Sequence, residues 1–173
     1  PAKHWFEQGL GKLLVTRVAG NIVVPSLVGS VDFAAERYGT SLEVVLDHSQ
    51  CGAILATLEE LGRPSVNQSP NLRSIVERVR PSIESLLDTD LAHDRAALVS
   101  HAVRANIRVS ANHLRHGSPL PEQRIAEGRL VVVGAEHAVD TSGAGCCEEE
   151  PAAATTGAPG AGRACPPATA RRR

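Results

Sequence analysis

Leu42-Glu43-Val44-Val45-Leu46-Asp47-His48-Ser49-Gln50-Cys51-Gly52 passes from one kind of structure into another. Leu42 to Leu46 is a short run rich in β-branched and aliphatic residues, and it reads as a strand. Cys51 to Leu61 has helical spacing and is closed by Gly62 and Pro64. The junction holds a histidine and a cysteine with two residues between them.

Outward from this junction the same alternation repeats. Leu13-Leu14-Val15-Thr16 reads as a buried strand, followed by turn signals at Gly20-Asn21 and Pro25. Ser26 to Tyr38 places Val28, Val31, Ala34 and Ala35 on one helical face, with Gly39 as C-cap. Leu72, Ile75, Val76, Val79, Ile83, Leu86 and Leu87 form a helical stripe that Pro81 should kink or divide. Asp90 or Asp94 caps a long helix running to about His116, which Gly117 and Pro119 stop. Pro121 to Glu127 is a short helix and Leu130 to Val133 a third strand.

This order predicts an α/β fold, a mostly parallel β-sheet flanked by helices. Strands that run apolar without alternation are expected to be covered on both faces. Sites in such sheets form at the carboxyl ends of strands, which selects Arg17 to Asn21, Asp47 to Cys51 and Gly134 to His137.

The chain of 173 residues suits one domain, taken as residues 1–141. Residues 142–173 lack Leu, Ile, Val and Phe and carry a Glu148-Glu149-Glu150 run, so a low-complexity, disordered tail is expected. Aromatic residues make up only 2%, so aliphatic side chains must fill the core. A net charge of −1 offers no basis for binding nucleic acid or an anionic membrane, and Arg171, Arg172 and Arg173 read as a solvated end. No apolar run is long enough to span a bilayer. Four cysteines do not make a disulfide scaffold, and a cytoplasmic setting is the simpler reading.

His48 and Cys51 offer an imidazole nitrogen and a thiolate, donors that favour zinc, and a helix amino end near Cys51 stabilises a thiolate. Spacing alone also fits a buried structural cysteine beside a hydrogen-bonded histidine. The wider sequence narrows the choice. QGLGKLLVTRVAGNIV from Gln8, GSVDFAAERYGTSLEVVLDHSQCGA from Gly29, NLRSIVERVRP, HAVRANIRVSANHLR and LVVVGAEHAVDT together resemble the β-class carbonic anhydrases, over roughly Pro1 to Thr141.

The resemblance implies zinc-dependent, reversible hydration of carbon dioxide to bicarbonate in a homodimer or larger homo-oligomer. Family members hold zinc with two cysteines and one histidine, of which His48 and Cys51 match two. The other cysteine belongs to a Cys-x-Asp-x-Arg motif on a central strand, which in relatives lies directly before the position of Pro1. Gly52 matches a glycine whose N–H points at bicarbonate, and Leu14, Ala19 and Phe33 match positions lining the carbon dioxide pocket. Cys146, Cys147, Cys165 and the other histidines do not match ligands. A chain lacking that motif holds half the metal site, so the 173 residues alone are expected to be poorly soluble or inactive.

Two departures stand out. Asp47 occupies a position that is usually glycine in the family; it reads as a tolerated surface variant, against a strained turn or an added carboxylate near the metal. After Thr141, relatives continue with an apolar strand where this chain turns to SGAGCCEEEP, through a divergent tail or a shifted reading frame. Two other functions compete: an inactive fragment serving as an interaction module, and hydrolysis of carbonyl sulfide or carbon disulfide.

Overall fold

Val44, Val45 and Leu46 on one strand and Val131, Val132 and Val133 on another form the centre of the sheet in the computed structural model, which describes residues 11–63, 69–139 and 143–147. β1 (Leu42–His48) and β2 (Val131–Ala138) pair in parallel, in register from Leu42 opposite Val131 to His48 opposite His137. β3 (Gly143–Cys146) joins the far edge of β2 antiparallel, giving the order β1-β2-β3. The helices are α1 (Pro25–Tyr38), α2 (Gly52–Gly62), α3 (Pro70–Ile83), α4 (Arg95–His116) and α5 (Pro119–Ala126).

Local chemistry sets most helix ends. Pro25 opens α1, and Gly39 closes it in the left-handed region at φ 64°, its N–H reaching the Ala34 carbonyl. Asp94 caps α4 by accepting the N–H groups of Ala96 and Ala97, each at 3.0 Å. Pro81 falls in the last turn of α3, which ends two residues later and tightens into the 3-10 turn Glu84–Asp88.

Helix α4 lies across β1 and β2 and carries much of the core. It buries Leu98, Ala102, Val103, Ile107, Ala111 and Leu114, each large apolar side chain contributing roughly 1.5–3 kcal/mol. Ile54 from α2 and Val79 and Ile83 from α3 complete a fully enclosed aliphatic cluster. Among the described residues no buried side chain is aromatic, as the composition requires.

The 3-10 turn Ala19–Asn21 is bolted to this core by polar groups. Asn106 donates to the Gly20 carbonyl at 2.7 Å, Ser110 to the Asn21 carbonyl at 2.9 Å, and the Asn21 side chain to the Leu46 carbonyl at 3.1 Å. Gly20, at φ 64°, leaves room for no side chain, since a Cβ would stand 3.0 Å from Ala53 and 3.1 Å from Val79.

Three expectations change. Leu13-Leu14-Val15-Thr16 is not a strand; the segment has no ladder partner among the described residues, and Leu14 and Val15 stay 53% and 49% exposed. Coverage of the sheet is unequal: Val45, Asp47 and Val132 are buried while Val44, Leu46 and Val133 are only half-buried. Gly143–Cys146, expected within the disordered tail, pairs as β3, because a ladder uses backbone groups that a Gly/Ala sequence also carries. The break at Thr141 and the tail from Glu148 onward, with Cys165 and the three terminal arginines, lie outside the described residues, as does His4. No helix among the described residues is long and apolar enough to cross a membrane.

Candidate metal centre

β1 delivers Asp47 and His48 to the carboxyl end of the sheet, and three residues after His48, Cys51 stands as the N-cap of α2. Such a short reversal needs Gln50 in the left-handed region at φ 59°, which costs a non-glycine residue about 1–2 kcal/mol. Bonds to β2 and its exit hold the turn: the Ser49 N–H donates to the His137 carbonyl at 2.8 Å, and the Val139 N–H to the Ser49 hydroxyl at 3.0 Å.

The reversal gathers one donor atom each from Asp47, His48 and Cys51 within 4.8 Å of one another. Asp47 and Cys51 are 5% and 4% exposed, whereas His48 stands at the solvent rim. Asp47 Oδ1 accepts the His48 backbone N–H at 2.9 Å, and its Oδ2 is buried with no hydrogen-bond partner among the described residues. His48 Nδ1 lies 2.9 Å from the Ser49 carbonyl; a carbonyl only accepts, so Nδ1 carries the proton and Nε2 keeps the lone pair.

Burial pushes the Asp47 carboxyl above the usual carboxylate range, opposed by the His48 N–H and the Cys51 thiol. Burial likewise pushes the Cys51 thiol up, and the Asp47 charge adds to it, against the N–H groups of Ile54 and Ala53 at the amino end of α2. Two anions this close resist ionising alone and are favoured together with a cation. Carboxylate, imidazole and thiolate are all donors that zinc accepts, so the set fits that metal.

The family profile described as carbonic anhydrase matches residues 1–144, across every described element up to the start of β3. The chain belongs to the β-class carbonic anhydrase family. It is 32% identical over 135 residues to carbonic anhydrase 2 of Mycobacterium tuberculosis, covering 78% of this chain. To the carbonic anhydrase of Mycolicibacterium smegmatis it is 35% identical over 133 residues, covering 77%. The chain spans 62% of the length of each of these relatives. Among solved structures, the β-carbonic anhydrase CcaA shares the fold at a TM-score of 0.74 and 22% identity, over 84% of this chain and 67% of that one. The Coccomyxa β-carbonic anhydrase in complex with acetazolamide does so at 0.69 and 19%, over 83% and 64%.

For a member of the carbonic anhydrase family, the other residues singled out in the sequence are spread unevenly. Gly52 opens α2 beside Cys51, exposed and with open space where a Cβ would stand. Leu14 and Phe33 line one shallow depression of about 370 Å³ together with Val15, Thr16, Ser26 and Ser30. Ala19 is exposed, and neither it nor any of Asp47, His48 and Cys51 lines that depression. His93, His101, His113 and His116 are exposed, and His137 is buried beside His48 in the ladder.

Asp47 corrects the reading made from sequence. It is a buried residue, not a surface variant, because Val45 and Asp47 share the strand face that turns inward. The period-2 spacing from Val45 was the signal that could have placed it. Ser49, Asn106 and Ser110 were not singled out either; their partners lie 86 or more residues away in sequence, beyond any local pattern.

Proposed function

We propose that this chain is the zinc-holding part of an enzyme that interconverts carbon dioxide and bicarbonate. The observation that carries this reading is the convergence of His48 and Cys51, within 4.8 Å of each other and of Asp47, at a strand's carboxyl end. His48 offers Nε2 because the Ser49 carbonyl keeps the proton on Nδ1. Cys51 offers a thiol whose ionisation is opposed by burial and the Asp47 charge and assisted by the backbone N–H groups at the start of α2. A bound cation would be what draws out the thiolate. Zinc, when bound, supplies the Lewis acidity that makes hydroxide available from water near neutral pH. Gly52, exposed next to Cys51 at the start of α2, would offer its N–H to an anionic product such as bicarbonate.

The reading includes a second copy of the chain as partner, since Leu14, Val15, Phe33, Tyr38 and Leu42 leave apolar surface uncovered. It also includes a reducing, cytoplasmic setting, which suits Cys51 as a thiol.

Zinc content by elemental analysis and carbon dioxide hydration by stopped-flow indicator, on the folded full chain, test the reading. With Asp47 beside His48 and Cys51, and against the inactivity expected from sequence, the expected result is about one zinc per chain and hydration above the uncatalysed rate, both lost in Cys51→Ser. A folded chain that takes up no zinc would overturn it. The exposure of Leu14, Ala19 and Phe33 favours a second reading, an interaction module without turnover. A folded chain with little zinc and no hydration selects that one.

A further inference from the structure

The geometry points to Asp47 as a direct metal ligand, giving this chain a three-donor Asp-His-Cys site within one strand-turn-helix unit. This rests on the reading that His48 and Cys51 hold zinc, and it adds a donor at a position where the resembling family usually has glycine.

Position supports it first. Tetrahedral zinc with bonds of about 2.0–2.3 Å sets its donor atoms roughly 3.3–3.8 Å apart. The three donors already lie within 4.8 Å of one another, so a closure of about 1 Å, the scale of a side-chain rotation, completes the set.

The state of the carboxylate supports it independently. Oδ1 is committed to the His48 N–H, which fixes the plane of the group, and Oδ2 is enclosed with no hydrogen-bond partner among the described residues. An orphaned buried carboxylate oxygen is costly unless something binds it. Arg104 on α4 is engaged elsewhere, with Glu136, the register partner of Asp47, at 2.8 Å. Asp47 thus combines a carboxylate oxygen within 4.8 Å of the Cys51 and His48 donors with a buried oxygen that no described residue satisfies. Asp47 would add a third donor to the imidazole and the thiolate, within the donor set that zinc accepts.

Zinc affinity, read by competition with a chromophoric chelator, and the thiolate-to-metal absorption of the cobalt(II)-loaded chain test the assignment without an activity assay. Asp47→Gly and Asp47→Asn should each weaken zinc binding by about tenfold or more. Asp47→Cys should roughly double the cobalt charge-transfer absorption, because a second thiolate then enters the coordination sphere. Unchanged affinity in the first two variants, or unchanged absorption in a folded Asp47→Cys chain, would show that Asp47 is not a ligand while leaving the His48–Cys51 reading intact. A folded parent chain that binds neither metal removes both.

Discussion

Leu13-Leu14-Val15-Thr16 and Val44-Val45-Leu46 are built from the same kinds of residue, yet only the second lies in a sheet. Val45 is 7% exposed, with β2 beside it and α4 beneath it, whereas Leu14 is 53% exposed and its segment lacks a ladder partner among the described residues. Strand propensity is a preference for a half-buried pleated surface, realised only where another strand supplies hydrogen bonds and a helix supplies cover. The comparison also bears on the metal centre. β1 can aim Asp47 and His48 into one turn because β2 holds it in register, while Leu14 and Ala19 have no such support.

Truncation of the core should separate the two regions most sharply. Ile107→Ala, in the helix beneath β1 and β2, is expected to cost about 2–5 kcal/mol, and Leu14→Ala no more than about 0.5 kcal/mol, by urea denaturation. Equal losses would mean that residues 13–16 are packed after all. A smaller effect is expected from Asn106→Leu, which leaves the buried Gly20 carbonyl without its donor at a cost of about 1–3 kcal/mol. Limited proteolysis of that variant should cut residues 13–18 faster, since the pin that ties them to the core is gone.

The smallest effect concerns Glu43 on β1. Burial, with the Asp32 charge second, pushes its carboxyl from 4.5 up to about 7. The folded state therefore favours the protonated acid. The associated stability is complete below about pH 4.5 and is lost as pH rises through 7. Glu43→Gln should abolish that decline, a gain on the order of 1 kcal/mol at pH 8 once partial solvent access is allowed for. A parent chain equally stable at pH 5 and pH 8 would show that this part of β1 is open to water.

Features governed by a few neighbouring residues were legible in the sequence. Gly39 and Asp94 end and start helices as their positions indicate, because caps act within one turn. His48 and Cys51 were legible for the same reason, two donors across a two-residue turn. Asp47 was misjudged because its burial depends on which face of β1 meets α4. The strand expected at residues 13–16 failed for want of a partner, and β3 went unseen because Gly-Ala-Gly-Cys pairs through its backbone alone.

By itself, then, the sequence determined the α/β alternation, the helix ends, the aliphatic core and the His-Cys pair, all consequences of side-chain chemistry within a few residues. Only the tertiary structure decided which apolar run became a strand, that Asp47 lies inside, and that its carboxylate shares the same space as His48 and Cys51. Those outcomes turn on backbone pairing and on contacts between distant segments, and a buried carboxylate gains its meaning from the atoms enclosing it.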